Sequence, residues 1–218
     1  MIPFVDKFAA LRRAMVADQL VARGIRDPGV LRAFGRVPRH EFVPPPLRSA
    51  AYDDRALPIG EGQTISQPYM VALMTELLRL RGDETVLEVG TGSGYQAAVL
   101  SALCRRVYTI ERSEPLARRA RETLDRLGCA KVEFITGDGS EGYPAGAPYG
   151  GIVVTAGCPE VPAPLTDQLA EGGRLVLPLG DRDLQTLTVV TRENGQLKQE
   201  SSIACVFVPL IGKYGWQE

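Results

Sequence analysis

Three acidic residues mark the places where chemistry is expected. Glu88 lies in Val86-Leu87-Glu88-Val89, two positions before Gly90-Thr91-Gly92-Ser93-Gly94. Glu111 ends Val107-Tyr108-Thr109-Ile110-Glu111, and Asp138 sits between Gly137 and Gly139. In open α/β sheets, ligands bind beyond the carboxyl ends of strands, near the point where strand order reverses. Glycines there let a ligand approach the backbone. A dinucleotide site would read G-x-G-x-x-G, but Tyr95 stands where that pattern needs its last glycine. Charge separates the ligands further. Glu88 would repel a pyrophosphate and attract a molecule carrying an ammonium and a sulfonium. Glu111 can accept hydrogen bonds from both hydroxyls of a ribose, as acids do in NAD sites, so it indicates a nucleoside without naming one. Asp138 can meet an adenine amino group, with room for the ring beside its flanking glycines. Any one of these acids alone is as readily solvated or a helix cap. At the ends of three successive strands they point together to a nucleoside cofactor.

Such residues need strands and helices to hold them. From Glu84 onward, apolar β-branched runs alternate with helical patterns: strands at 86–89, 106–110, 132–135, 151–155 and 174–177, and helices at 95–103, 115–127 and 165–169. That alternation implies a parallel, doubly wound sheet covered on both faces. Residues 186–191 and 202–208 flank Asn194-Gly195, a hairpin signal, so the sheet should end in an antiparallel pair. Before residue 82 the pattern is different. Phe8, Leu11, Met15 and Leu20 recur at helical spacing up to Arg23-Gly24, and a short helix is expected near 30–34. Residues 37–46 are broken by prolines. Residues 52–67 show neither a helical nor a strand period, and a loop this long in a compact protein is expected to be ordered and functional. A strong helix follows at 69–80, with Pro68 in its first turn. The chain therefore divides into an extension, 1–81, that contributes a loop to the site, and a cofactor-binding core, 82–218.

Composition narrows the function classes. The 218 residues are 44% hydrophobic and 23% charged with net charge −1, values that suit a buried core and give no general attraction to nucleic acid or anionic lipid. The densest basic stretch, 118–126, is interleaved with Glu122 and Asp125 and reads as the wet face of a helix. No run approaches the roughly 20 apolar residues of a membrane span. The opening residues carry no apolar leader, so a cytoplasmic enzyme is expected; a monomer is expected as well. Cys104, Cys129, Cys158 and Cys205 are too scattered for a C-x-x-C zinc site and read as small buried hydrophobes.

Specific segments resemble a known family. VLEVGTGSGYQAAVL at 86–100 resembles motif I of class I methyltransferases, and of the protein-L-isoaspartate O-methyltransferases in particular. LPIGEGQTISQPYMVALM at 57–74 resembles the loop and helix that precede the core in that family, and its GQTISQP is far more specific than motif I. VPRHEFVP at 37–44, YTIER at 108–112, GDGSEGYP at 137–144, IVVTAG at 152–157 and FVPLIG at 207–212 extend the likeness. The resemblance implies a seven-stranded Rossmann-like fold and S-adenosyl-L-methionine as cofactor, leaving as S-adenosyl-L-homocysteine without a metal. It implies methylation of the free carboxylate of L-isoaspartyl residues in damaged proteins and peptides. The ester then cyclises unaided to a succinimide, whose hydrolysis returns part of it to aspartate. On this resemblance Ser66 is the active-site serine. The cofactor contacts are Thr64, Ile65, Gln67, Glu88, Gly90, Thr91, Gly92, Ser93, Gly94, Glu111, Arg112, Asp138, Gly139 and Thr155. One departure stands out: related sequences read Pro-Phe-Asp where this chain has Pro148-Tyr149-Gly150.

The chain has one histidine, His40, and this chemistry needs no more. A carboxylate with a pKa of about 4 is already an anion at neutral pH, so no base must deprotonate it. What remains is to align oxygen, methyl and sulfur at about 3 to 3.5 Å and to exclude water. Ser66 would orient the incoming carboxylate; the alternative is that it caps the helix beginning at Pro68. His40 reads as a structural histidine. Arg39 either attracts the carboxylate or forms a surface pair with Glu41. Trp216 either covers a peptide or packs. An NAD-linked oxidoreductase, a methyltransferase acting on another substrate and a non-catalytic relative are the rival readings.

Overall fold

The computed structural model describes residues 7–217. The expectation of no leader rests on residues 1–6, outside the described residues. α1 (Ala9–Ala14) runs into a π-helical turn, Met15–Leu20, and a 3-10 turn, Val21–Arg23. Gly24 then ends the helical run in the left-handed region, at φ 99°. Met15 and Leu20 are buried as their spacing requires, but Leu11 is 46% exposed. The wider π turn changes the helical phase, so a regular 3.6-residue period over 8–20 places one residue wrongly. α2 (Pro28–Arg36) starts at Asp27, whose carboxylate accepts from Val30 N at 2.9 Å. Prolines then limit the chain to two 3-10 turns, Arg39–Phe42 and Pro45–Ala50.

Residues 52–67 are ordered, but they are not without strand. β1 (Leu57–Gly60) and β2 (Gln63–Ile65) form an antiparallel hairpin. Gly60, Glu61 and Gly62 turn it with positive φ. Two strands of four and three residues, one holding a proline, are too short to show a period. α3 (Pro68–Leu77) ends before 80, since Arg79 takes a φ of 52°.

The core elements follow in alternation: β3 (Thr85–Val89), α4 (Tyr95–Ser101), β4 (Arg106–Glu111), α5 (Glu114–Arg126), β5 (Val132–Thr136), β6 (Tyr149–Val154), α6 (Ala163–Asp167), β7 (Leu169–Gly180), β8 (Gln185–Glu193) and β9 (Gln196–Cys205). One seven-stranded sheet has the order β5-β4-β3-β6-β7-β8-β9. Strands β3 to β7 pair in parallel and β7, β8 and β9 antiparallel. Asn194 and Gly195, with φ 52° and 74°, make the β8–β9 turn. Several strand bounds differ from expectation: β6 begins at Tyr149, β7 extends to Gly180, and β9 begins at Gln196. β7 begins at Leu169, and the last strand ends at Cys205, with 206–208 leaving the sheet.

Strand order reverses at β3, which pairs with β4 on one side and β6 on the other. The crevice at its carboxyl end is therefore the place for a ligand. Val86 and Leu87 point to opposite faces and are both fully buried. Each contributes about 1.5–3 kcal/mol, which is why this strand is apolar on both sides. Val86 joins Met70, Met74 and Leu100, while Leu87 joins Ile152, Leu165 and Leu175. The N-terminal region is packed onto the core: Met15, Phe34, Phe42 and Ile65 share a cluster with Tyr95, Val99, Leu116 and Leu124. This packing carries the β1–β2 hairpin to the crevice.

Candidate active site

A cavity of about 400 Å³ opens at the carboxyl ends of β3, β4 and β6, with the β1–β2 hairpin as its outer wall. Its first wall is the glycine loop. Gly90 N and Thr91 N both donate to Ile110 O, at 2.9 and 3.2 Å. From the other side, Thr155 Oγ1 donates to Gly90 O at 2.7 Å. Gly90 (φ 93°) has no room for a side chain, because an added Cβ would overlap Thr155 Oγ1. The loop is thus fixed between two strands before any ligand arrives.

Glu88 stands at the cavity floor, fully buried. Thr109 donates to its Oε2 at 2.5 Å, and Thr91 and Thr109 share a hydroxyl contact of 2.5 Å. With Glu88 ionised, the protons run from Thr91 to Thr109 to the carboxylate. Its Oε1 is buried without a well-formed hydrogen bond among the described residues, the Ala97 amide giving it weak support. Burial pushes the carboxyl up to about 8 despite the Thr109 hydrogen bond, and the Glu111 charge adds to the rise. The acid expected to attract a cation is therefore mostly neutral at pH 7 until a cation reaches it.

Glu111 accepts from Gly92 N and Ser113 N, one bond per oxygen at 2.9 Å each, which leaves lone pairs on both oxygens facing the cavity. Asp138 is placed otherwise. Its carboxylate caps the turn at Gly139–Glu141, accepting from Ser140 N and Oγ, and also takes the Lys213 N–H at 2.7 Å. Burial raises its pKa, but these hydrogen bonds outweigh that and hold it below the usual carboxylate range. It is absent from the cavity lining, whereas Gly139 is part of it.

Of the other expected contacts, Thr64, Ile65, Ser66, Gly90, Thr91, Gly92, Ser93, Arg112 and Thr155 line the cavity. Gly94 instead caps α4, and Gln67 faces a second hollow. That hollow is lined by α3, the end of β9 and the chain that follows it, and it shares Thr64, Ser66, Thr155 and Val208 with the first. Ser66 does not cap α3: the capping position is Gln67, and no side chain bonds there. Reading the sequence missed Thr109, whose signal is a lone hydroxyl inside a buried strand, one strand away from Glu88. It also assigned no role to Val208, Pro209, Leu210 and Ile211, which close the cavity.

The side residues resolve clearly. His40 is structural, with Nδ1 2.8 Å from the Tyr52 hydroxyl and its ring stacked on Phe8. Trp216 packs, donating from Nε1 to Gly157 O at 3.1 Å. Arg39 is neither exposed nor paired with Glu41: it is fully buried, and Glu41 pairs with Arg126 at 2.6 Å. The proline turn around it, which has no period, hides that burial from the sequence. At Gly150, an added Cβ would lie 2.6 Å from Glu84 Cγ. The space that an aspartate would occupy is filled by a neighbouring acid, whose carboxylate accepts from Arg81 N and Gly82 N.

The weakly bonded Glu88 oxygen, the open lone pairs of Glu111 and the Gly139 floor suit a nucleoside whose amino-acid end is cationic. Comparison with known proteins gives the same answer. The family model for protein-L-isoaspartate(D-aspartate) O-methyltransferase matches residues 11–215. This chain belongs to that family. Among curated members, a protein-L-isoaspartate O-methyltransferase 2 of Geotalea uraniireducens is 57% identical over 206 residues, covering 94% of this chain and 95% of the relative. A protein-L-isoaspartate O-methyltransferase of Methanoregula boonei is 55% identical, with 94% and 95% covered. A solved protein-L-isoaspartate O-methyltransferase superposes with a TM-score of 0.83 at 33% identity, covering 94% of this chain and 67% of that one. A Plasmodium falciparum structure described as a protein-L-isoaspartate O-methyltransferase in complex with S-adenosyl-L-homocysteine gives a TM-score of 0.79 at 25% identity, with 93% and 97% covered. The seven-stranded sheet and its antiparallel end are those of the protein-L-isoaspartate O-methyltransferases.

Proposed function

We propose that this chain transfers the methyl group of S-adenosyl-L-methionine to the free carboxylate of L-isoaspartyl residues in damaged proteins and peptides. The ester so formed cyclises to a succinimide without further catalysis. Family membership supports the activity, and the observation that carries the site is the meeting of two hollows at Thr64, Ser66, Thr155 and Val208. The inner one is the cofactor cavity, and the outer one is where the polypeptide lies.

When bound, the cofactor supplies a methyl group activated on a sulfonium. Glu88 would hold its cationic amino-acid end, Glu111 its ribose, and the backbone around Gly139 its base. Ser66, half-buried on the shared wall, donates from Oγ to the incoming carboxylate and so fixes one oxygen toward the inner cavity. Its neighbours in sequence, Ile65 and Gln67, carry no base, in keeping with an orienting role. Val71, Ile110 and Leu210 exclude water from the inner cavity and so strip solvent from the anion before transfer. Residues 1–81 act as the extension that brings the acceptor loop, and 82–218 as the cofactor core. The acceptor on this reading is a damaged protein or peptide, taken by the enzyme as a monomer, with no part for nucleic acid or membrane. The four free thiols, three of them buried, agree with a reducing cytoplasm.

The test uses matched peptides that differ only in L-isoaspartate or L-aspartate, with a tritiated methyl donor. Label confined to the isoaspartyl peptide is expected, and equal labelling would refute the substrate assignment. Ser66→Ala should lower turnover by about 100-fold while leaving S-adenosyl-L-homocysteine affinity nearly unchanged. Wild-type turnover in that variant would remove Ser66 from the reaction.

A further inference from the structure

Arg39 is the largest fully buried side chain, and its partners are unusual for a guanidinium. Nε donates to Ala51 O at 2.7 Å, and Nη2 donates to Ser66 O at 2.7 Å. Its guanidinium carbon lies 4.8 Å from the centre of the Tyr95 ring. No carboxylate meets it among the described residues; the nearby acid, Glu41, is committed to Arg126, with Arg48 and His40 also near it. Nη1 and the Tyr95 hydroxyl are both buried without a well-formed hydrogen bond. Burial lowers the guanidinium to about 10, so it remains a cation at neutral pH.

A buried cation without an anion is costly, and its energy is recovered only through the groups it orders. Those groups belong to the two halves of the site. Ser66 sits between β2 and α3, where neither element bonds its carbonyl, and Tyr95 opens α4 directly after the glycine loop. Both residues line the cofactor cavity.

We propose that Arg39 is a positioning residue for methyl transfer, one that holds the Ser66 peptide against the Tyr95 ring and so sets the distance between the acceptor loop and the cofactor loop. It touches neither substrate nor cofactor and acts through Ser66. The inference rests on the reading of Ser66 as the residue that orients the carboxylate. A lysine would keep the charge but could not serve two carbonyls along the fixed fork of a guanidinium. The expected result is a loss of turnover without a loss of cofactor binding.

The experiment is a double-mutant cycle with Arg39→Lys, Ser66→Ala and the pair, read as kcat and KM on an isoaspartyl peptide and as S-adenosyl-L-homocysteine affinity. Arg39→Lys should lower kcat at least about tenfold, with cofactor affinity held within about twofold. In the Ser66→Ala background the same change should alter kcat by less than about twofold, because the effect passes through the missing hydroxyl. Losses that multiply would overturn the inference, since a general weakening of the fold acts equally in both backgrounds. Wild-type kcat in Arg39→Lys would overturn it alone. Wild-type kcat in Ser66→Ala would first overturn the Ser66 reading, and this inference with it. A second measurement does not depend on the variants folding. In a crystal of the wild-type enzyme with adenosylhomocysteine and an isoaspartyl peptide, Arg39 should still donate to Ser66 O while Ser66 Oγ contacts the carboxylate. A complex in which that bond is broken would refute the proposal.

Discussion

Binding of the cofactor should release a proton, and Glu88 is the reason. In the ligand-free protein its carboxyl is raised to about 8, first by complete burial and then by the charge of Glu111, against the pull of the Thr109 hydroxyl. A cationic ligand beside the weakly bonded Oε1 reverses that balance and favours the carboxylate. At pH 7, a group titrating near 8 is about nine-tenths protonated, so each binding event should expel about 0.9 proton. Below pH 8, affinity should rise about tenfold per pH unit and then level off. The assay is titration calorimetry with S-adenosyl-L-homocysteine from pH 6 to pH 9, in buffers of different ionisation heat so that protons are counted directly. Glu88→Gln keeps an oxygen for the Thr109 hydroxyl but cannot ionise, so its proton count should fall to zero and its affinity should lose the slope. A wild-type dissociation constant that stays flat between pH 6 and pH 8 would refute the reasoning, as would release of less than about 0.2 proton at pH 6.5.

The same carboxyl affects folding. Unfolded, it titrates near 4.3, while in the folded, ligand-free state it holds its proton to about 8; the native form therefore binds more protons across that window, and its stability falls as pH rises. Thermal melts of the ligand-free protein at pH 5, 6.5 and 8 should show Glu88→Gln gaining on wild type as pH increases; a constant difference would contradict this. Gly90→Ala sets a Cβ onto Thr155 Oγ1 at a backbone φ of 93°, so cofactor affinity should drop at least about tenfold, read by the same calorimetry. Gly150→Asp places new atoms 2.6 Å from Glu84 Cγ and should destabilise the fold by about 1–3 kcal/mol in urea denaturation, even though related sequences carry the acid there.

Much of this molecule was legible in its residues. The alternation of apolar strands and amphipathic helices after Glu84, the Asn194-Gly195 turn and the glycine loop are local signals. Each depends on neighbours within a few positions, where side-chain period and backbone freedom act directly. The same holds for the placement of Glu88 and Glu111, because a strand end projects its last residues toward the crevice whatever surrounds it. Long-range packing decided the rest. Two short strands became a hairpin only because the core buries Leu57, Ile59 and Ile65. Asp138 turned to the backbone of Lys213, 75 positions away, and Arg39 to that of Ser66, 27 positions away. Nothing in the types of those residues foretells such partners. A backbone carbonyl or amide is present at every position, so which one a buried charge meets is set by the folded path of the chain.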